Sequence, residues 1–304
     1  RAFGTDCRTW GLRYTAIVTI VLILFALPAA LYSAIWLGAW RAATGAAPAP
    51  AASGAPAYSP AEPAARWLLP FAIVLHGASL AWPWDRGGFH YGFAKALSAT
   101  VWVGLVLLWF EGRRTSLEAL RLLVLPLAIA MLLMPLVWPG RLFESAEQAP
   151  LFVPHLLAGT LAYGVLMLAA LQALMMLWVQ RDLQRPMLDA DRGPMLRWVG
   201  RMPPLMVLER LLFRFIGLGF VLLLATTISG MMFSEEVFGR PFRLEHKTVF
   251  SVISLAFFGV LLAGRAVRGW RGRIATRFTL GGFAVLLLAY VGTRFVLEVL
   301  LGRY

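Results

Sequence analysis

The chain has 304 residues, 60% of them hydrophobic and 14% charged, with a mean hydropathy of +0.74 and a formal net charge of +13. These values exclude an ordinary soluble domain and make the bilayer the expected solvent. Most of the basic excess is arginine in short connections between apolar runs, where it sets topology and meets anionic membrane lipid, so no nucleic-acid partner is expected. A single cysteine, Cys7, excludes an internal disulfide or a thiolate metal cage.

Residues 1–14 read as a non-native N-terminal extension, because the chain opens on Arg1 and its first methionine is Met131. The first apolar span covers 15–40, with a slight kink expected at Pro28; it is too long for a signal-peptide core. Residues 42–65 are Ala, Pro, Gly and Ser with one acid, Glu62, and read as a disordered linker. Seven further spans are expected at 66–84, 92–110, 117–138, 152–179, 212–233, 248–264 (a short one) and 278–301. The fold class is therefore all-α: one polytopic membrane domain over 15–304 with about eight transmembrane helices.

Counting basic residues orients it. The odd-numbered connections hold seventeen, including Arg113, Arg114, Arg181 and a run from Arg265 to Arg277; the even ones and the C-terminus hold seven, nearly cancelled by acids. The odd connections are thus expected in the cytoplasm and both termini in the periplasm of a bacterial inner membrane. Arg8 and Arg13 run against this count, in keeping with a non-native start. The largest cytoplasmic segment is a loop at 180–211, and the stretch from Met202 to Phe215, opened by Pro203 and Pro204, is expected to lie on the membrane surface.

That topology gives the four histidines a common place. His155 opens the fifth span and His246 the seventh, both at the outer end; His90 lies in the outer turn before the third, and His76 lies midway through the second. Imidazole is the usual protein ligand of haem iron, so His155 and His246 form the candidate metal-binding pair. Each also has a plain reading. His155, after Pro154, suits a headgroup-facing helix start, and the small residues Ala158, Gly159 and Ala162 serve either a flat ring or ordinary helix packing. His246 sits between Glu245 and Lys247 like any interfacial residue, and His90 is the weakest candidate.

His76 is costly inside hydrocarbon, which makes it an alternative ligand or a neutral imidazole hydrogen-bonded to a neighbouring helix. In the outer half of the last span Arg294 either pairs with Glu298 and snorkels, or anchors a carboxylate such as a haem propionate. No phosphate-cradling loop, HExxH, CxxCH or paired-carboxylate motif is present, and no catalytic residue or enzyme activity is expected.

Three C-terminal stretches, MPPLMVLERLLFRFIGLGFVLLLATTISGMMF, LEHKTVFSVISLAFFGVLLAGRAVRGWRGR and LLLAYVGTRFVLEVLL, with VPHLLAGTLAYGVLMLAALQALMMLW and FAIVLHGASL before them, resemble the cytochrome c assembly (CcsA/CcmC-like) family, in its HemX/YpjD-like branch. The resemblance implies a multi-helix membrane protein that handles haem (heme b) at the outer face in cytochrome c-type biogenesis. By it His155 matches the histidine that opens the helix before the family's haem-handling loop, and His246 falls where members carry a tryptophan-rich segment. Pro241 to Phe250 holds no tryptophan here, and Gly264 and the C-terminal end lack histidines that the assembly proteins carry. The resemblance therefore implies a haem-binding accessory protein, with another membrane or haem-pathway protein as partner, more readily than a complete haem lyase. Two other classes stay open: a scaffold or regulator of a partner enzyme or transporter, and a small-solute transporter.

Overall fold

A computed structural model of the protein describes residues 18–44, 62–81, 89–113, 118–138, 140–143, 152–182, 204–238, 246–292 and 295–296. Eight helices lie among them. They are α1 (Leu27–Thr44, continuing a π-helical turn at Leu22–Ala26), α2 (Glu62–Ala81), α3 (Phe93–Glu111) and α4 (Glu118–Val137), then α5 (Phe152–Asp182), α6 (Leu205–Phe238), α7 (His246–Arg268) and α8 (Gly272–Leu287, ending in a π-helical turn at Leu288–Gly292). Six of the eight are long and apolar enough to cross a membrane, and α2 contributes a shorter apolar stretch, Trp67–Ala81. The protein is an all-α polytopic membrane protein, as its composition required. Two short strands, β1 (Phe89–Tyr91) and β2 (Arg141–Phe143), pair antiparallel with His90 opposite Leu142.

Several boundaries differ from the sequence reading. Helix α1 runs to Thr44 and α2 starts at Glu62, so both ends of the expected 42–65 linker are helical. The stretch expected on the membrane surface is instead the start of α6: helix begins at Leu205 and continues unbroken into the sixth span, with Leu208, Leu211, Leu212 and Ile216 buried. Its apolar residues found neighbouring helices, which bury more area than a headgroup layer. At 34 residues α6 is roughly 50 Å long, well beyond a hydrocarbon core of roughly 30 Å. The seventh span is a full 23-residue helix rather than a short one, and the eighth starts at Gly272 instead of 278. Just before Pro28 the helix widens into a π turn, with the Leu27 N–H on Leu22 O, which relieves the clash of a proline ring with the carbonyl four residues back.

Helix α5 is the centre, packing against α3, α6 and α8, while α1, α2 and α4 close the other side of the bundle. It buries 72% of its apolar window against 17% for α7, which is why α5 is apolar all round and α7 is two-faced. Side chains that satisfy backbone carbonyls bind neighbours together: Trp36 Nε1 donates to Leu122 O (3.1 Å), Trp102 Nε1 to Ile73 O (2.8 Å), Tyr163 OH to Leu286 O (2.7 Å) and Ser254 Oγ to Gly282 O (2.9 Å). In an apolar surround such bonds are how helices are glued, since lipid offers no competing partner.

The odd connections share one end of the bundle. Arg214 of α6 pairs with Glu111 of α3 at 2.9 Å, Arg265 of α7 stacks 3.6 Å over the Phe213 ring, and Glu209 Oε1 accepts the Gly272 N–H at 2.7 Å. The even connections share the other: β1 pairs with β2, and Phe93 packs its ring on Trp138 and Phe295. At the arginine end α7 stops on Gly269, whose φ of +65° suits a residue without Cβ, and the chain folds Trp270 back onto Gly264. A Cβ at 264 would collide with the indole. Gly264→Ala is therefore expected to expel Trp270, loosen the α7–α8 turn by about 1–3 kcal/mol, and speed trypsin cleavage around Arg268 and Arg271 several-fold. Cleavage at the wild-type rate would show that the turn does not depend on this contact.

Candidate functional site at the histidine end

His155 lies in the first turn of α5, following Pro154, whose missing N–H is harmless at that position. The imidazole is half-buried, and its Nδ1 lies 2.8 Å from Ser229 Oγ on α6. Beside it is Gly230, where a Cβ would sit 3.1 Å from His155 Cε1, so the ring rests against bare α6 backbone. Lys247, in the first turn of α7, lies within electrostatic reach of His155. Its neighbour His246 begins α7 as an exposed residue at this same end. The structure thus gathers the ends of α5, α6 and α7 where the sequence expected a site.

The small face after His155 is not an open groove. Ala162 is buried, and a Cβ on Gly159 would meet Thr226 Cγ2 at 3.3 Å, so these residues seat α6 against α5. Met231 and Met232, next along α6, and Val249, in the first turn of α7, are exposed apolar residues of the same end segments, together with the exposed cation Lys247. Among the described residues no three His, Cys, Asp or Glu side chains gather as a metal cage. An imidazole at a helix start has the chemistry of an axial ligand for haem iron.

His76 belongs to a different neighbourhood. It is fully buried in α2 between α1 and α3, with Nδ1 3.3 Å from the Tyr32 hydroxyl and Nε2 3.0 Å from Ser98 Oγ. Both partners are themselves buried, so the ring ties three helices together, the plain reading the sequence left open. His76→Leu strands the two hydroxyls and is expected to cost about 1–3 kcal/mol in a detergent unfolding titration. Haem stoichiometry should not change; a lost haem spectrum in that variant would make His76 the ligand. Arg294 and Glu298 lie outside the described residues, as do residues 1–14, and of His90 only the backbone, on β1, is described.

Ser229, Gly230, Tyr32 and Ser98 were not singled out from the sequence. Their one signal was a small or polar residue inside an apolar span. Which partner each would meet depends on how the helices cross.

The Escherichia coli protein named "Inner membrane protein YpjD" is 31% identical over 182 residues, covering 59% of this chain and 65% of that protein, just under two thirds of its length. The Azospirillum brasilense "Uncharacterized 28.8 kDa protein in nifR3-like 5'region" is 32% identical over 248 residues, or 76% of this chain and 85% of its own. A Prochlorococcus marinus protein named "Cytochrome c biogenesis protein CcsA" is 36% identical over 89 residues, 29% of this chain and 28% of that protein. No solved structure matches significantly. Since the family described as Cytochrome C assembly protein matches residues 65–301, which takes in α2 to α8 with both His155 and His246, the chain belongs to that family.

Proposed function

We propose that this protein binds haem at the histidine end and holds or passes it on during cytochrome c-type biogenesis, acting as a binding and delivery protein rather than an enzyme. The observation that carries the reading is His155. A half-buried imidazole whose Nδ1 meets Ser229, at an end of the bundle that also exposes Met231, Met232 and Val249, suits an axial ligand at the edge of a macrocycle. His246, opening α7 at the same end, is the proposed second ligand. Arg294 is the proposed partner for a propionate, and His76 is kept as the alternative ligand that its variant tests. When bound, haem would supply the iron; the chain's own part is to fix one imidazole and to offer apolar side chains at that end of the bundle.

The charge count supports a cytoplasmic arginine end, with the histidine end and both termini in the periplasm, and the printed name of the Escherichia coli relative supports a bacterial inner membrane. Lipid contacts follow the arginines, and a membrane or haem-pathway protein is the proposed recipient or donor. The reading is tested by a reduced-minus-oxidised spectrum of detergent-purified protein expressed with ample haem. One haem per chain supports it. A colourless protein that stays so after addition of hemin would overturn it and favour a scaffold or a regulator of a partner.

A further inference from the structure

We propose that the corner where α7 turns into α8 is a binding site for the phosphate of an anionic phospholipid, in the leaflet at the arginine end, with Arg265 and Arg268 as its ligands. The site lies at the opposite end of the bundle from the histidines and does not depend on the haem reading. From 265 to 277 the chain carries Arg265, Arg268, Arg271, Arg273 and Arg277 and no acid. Glu209 of α6 reaches this turn, where its Oε1 accepts the Gly272 N–H at 2.7 Å. One carboxylate thus stands among five guanidinium groups, and an anion is the complementary occupant.

Arg265 points to the kind of anion. Its guanidinium carbon lies 3.6 Å over the Phe213 ring, and its Nη1 is covered by protein with no hydrogen-bond partner among the described residues. A ring face attracts the charge but supplies no oxygen acceptor, and a guanidinium donor held out of water without one is costly. Phosphate oxygens match the arginine fork and accept from it in pairs. The turn holds the two cations ready: the Gly269 N–H closes on Arg265 O at 3.1 Å and the Trp270 N–H on Gly264 O at 3.3 Å, with Arg265 and Arg268 neighbours in the last turn of α7. Apolar side chains decide between a lipid and a soluble anion. Val267 and Ile274 are exposed among the arginines, and further along α7, which buries 17% of its apolar window, Ile253 and Val260 are exposed as well. An occupant with a phosphate and an acyl tail meets both features, whereas a soluble phosphate meets one.

The test uses full-length protein, purified in detergent and stripped of lipid, with native mass spectrometry counting bound molecules as phosphatidylglycerol or phosphatidylcholine is titrated in. The wild type should take its first phosphatidylglycerol about tenfold more tightly than phosphatidylcholine, and an excess of inorganic phosphate should not displace it. Arg265→Gln and Arg268→Gln should each weaken that first binding about tenfold, the weight of a hydrogen bond to a charged group. Arg41→Gln removes the same charge from an exposed position at the end of α1 and should leave it unchanged. Equal affinity for the two lipids overturns the site. Displacement by inorganic phosphate overturns the lipid and leaves a soluble anion as the occupant. An equal loss in Arg41→Gln reduces the effect to diffuse surface charge and overturns the assignment. Unchanged binding in Arg268→Gln, where an exposed side chain is altered and the fold is not at stake, overturns it as well.

Discussion

Replacing His155 with alanine is expected to abolish the low-spin haem spectrum of the purified protein. A six-coordinate low-spin iron needs two strong-field ligands, and His155 is the imidazole that the fold holds still, through Ser229 at 2.8 Å and the bare backbone of Gly230. Loss of the fixed ligand should lower haem occupancy at least tenfold. His246→Ala should act differently, because His246 is exposed at the first position of α7 with less of the fold to fix it. There the expected result is a high-spin, five-coordinate spectrum with haem still bound. A wild-type spectrum in His155→Ala would remove His155 from the site, and an unchanged one in His246→Ala would mean the sixth ligand comes from elsewhere.

The second large effect concerns the bundle's centre. Gly164 on α5 faces α3 so closely that a Cβ would stand 2.5 Å from Val103 Cγ1 and 2.9 Å from the Thr100 carbonyl oxygen. The Val103 side chain can turn aside, but the carbonyl belongs to backbone and cannot move without separating the two helices. Gly164→Ala is expected to cost about 1–3 kcal/mol by overpacking, and Gly164→Val to prevent recovery of monodisperse protein. Gly38→Ala is the matched control: nothing lies within 4 Å of its Cβ position, and alanine there should be neutral or stabilising by about 0.5–1 kcal/mol. Equal melting temperatures for wild type and Gly164→Val would show that α3 and α5 do not depend on this approach.

Membership of the cytochrome c assembly family does not by itself say which residues would hold a haem here. The departure at Gly264 has a local physical reason: Trp270 occupies the space a side chain would need. A histidine there would have to displace the indole and undo the turn at Gly269, so the chain has given that position to packing. His76 shows the same economy, with its two nitrogens spent on Tyr32 and Ser98.

By itself the sequence determined that the chain lives in a membrane, that it crosses about eight times, and that odd and even connections differ in charge. Those properties follow from local quantities: the length of an apolar run against the thickness of hydrocarbon, and arginines counted loop by loop. It also pointed to His155, because a histidine at a helix start is visible in one dimension. Tertiary structure alone decided that α6 begins at Leu205 inside the bundle instead of on the membrane surface, that the small face of Ala158, Gly159 and Ala162 is filled by α6, and that His76 is tied up by two other helices. Only in three dimensions does Ser229, 74 positions away in the chain, meet His155. Hydropathy tells a helix to enter the bilayer, but inside it all apolar faces look alike to lipid. The partners are chosen by shape and by the few polar groups that must find one another.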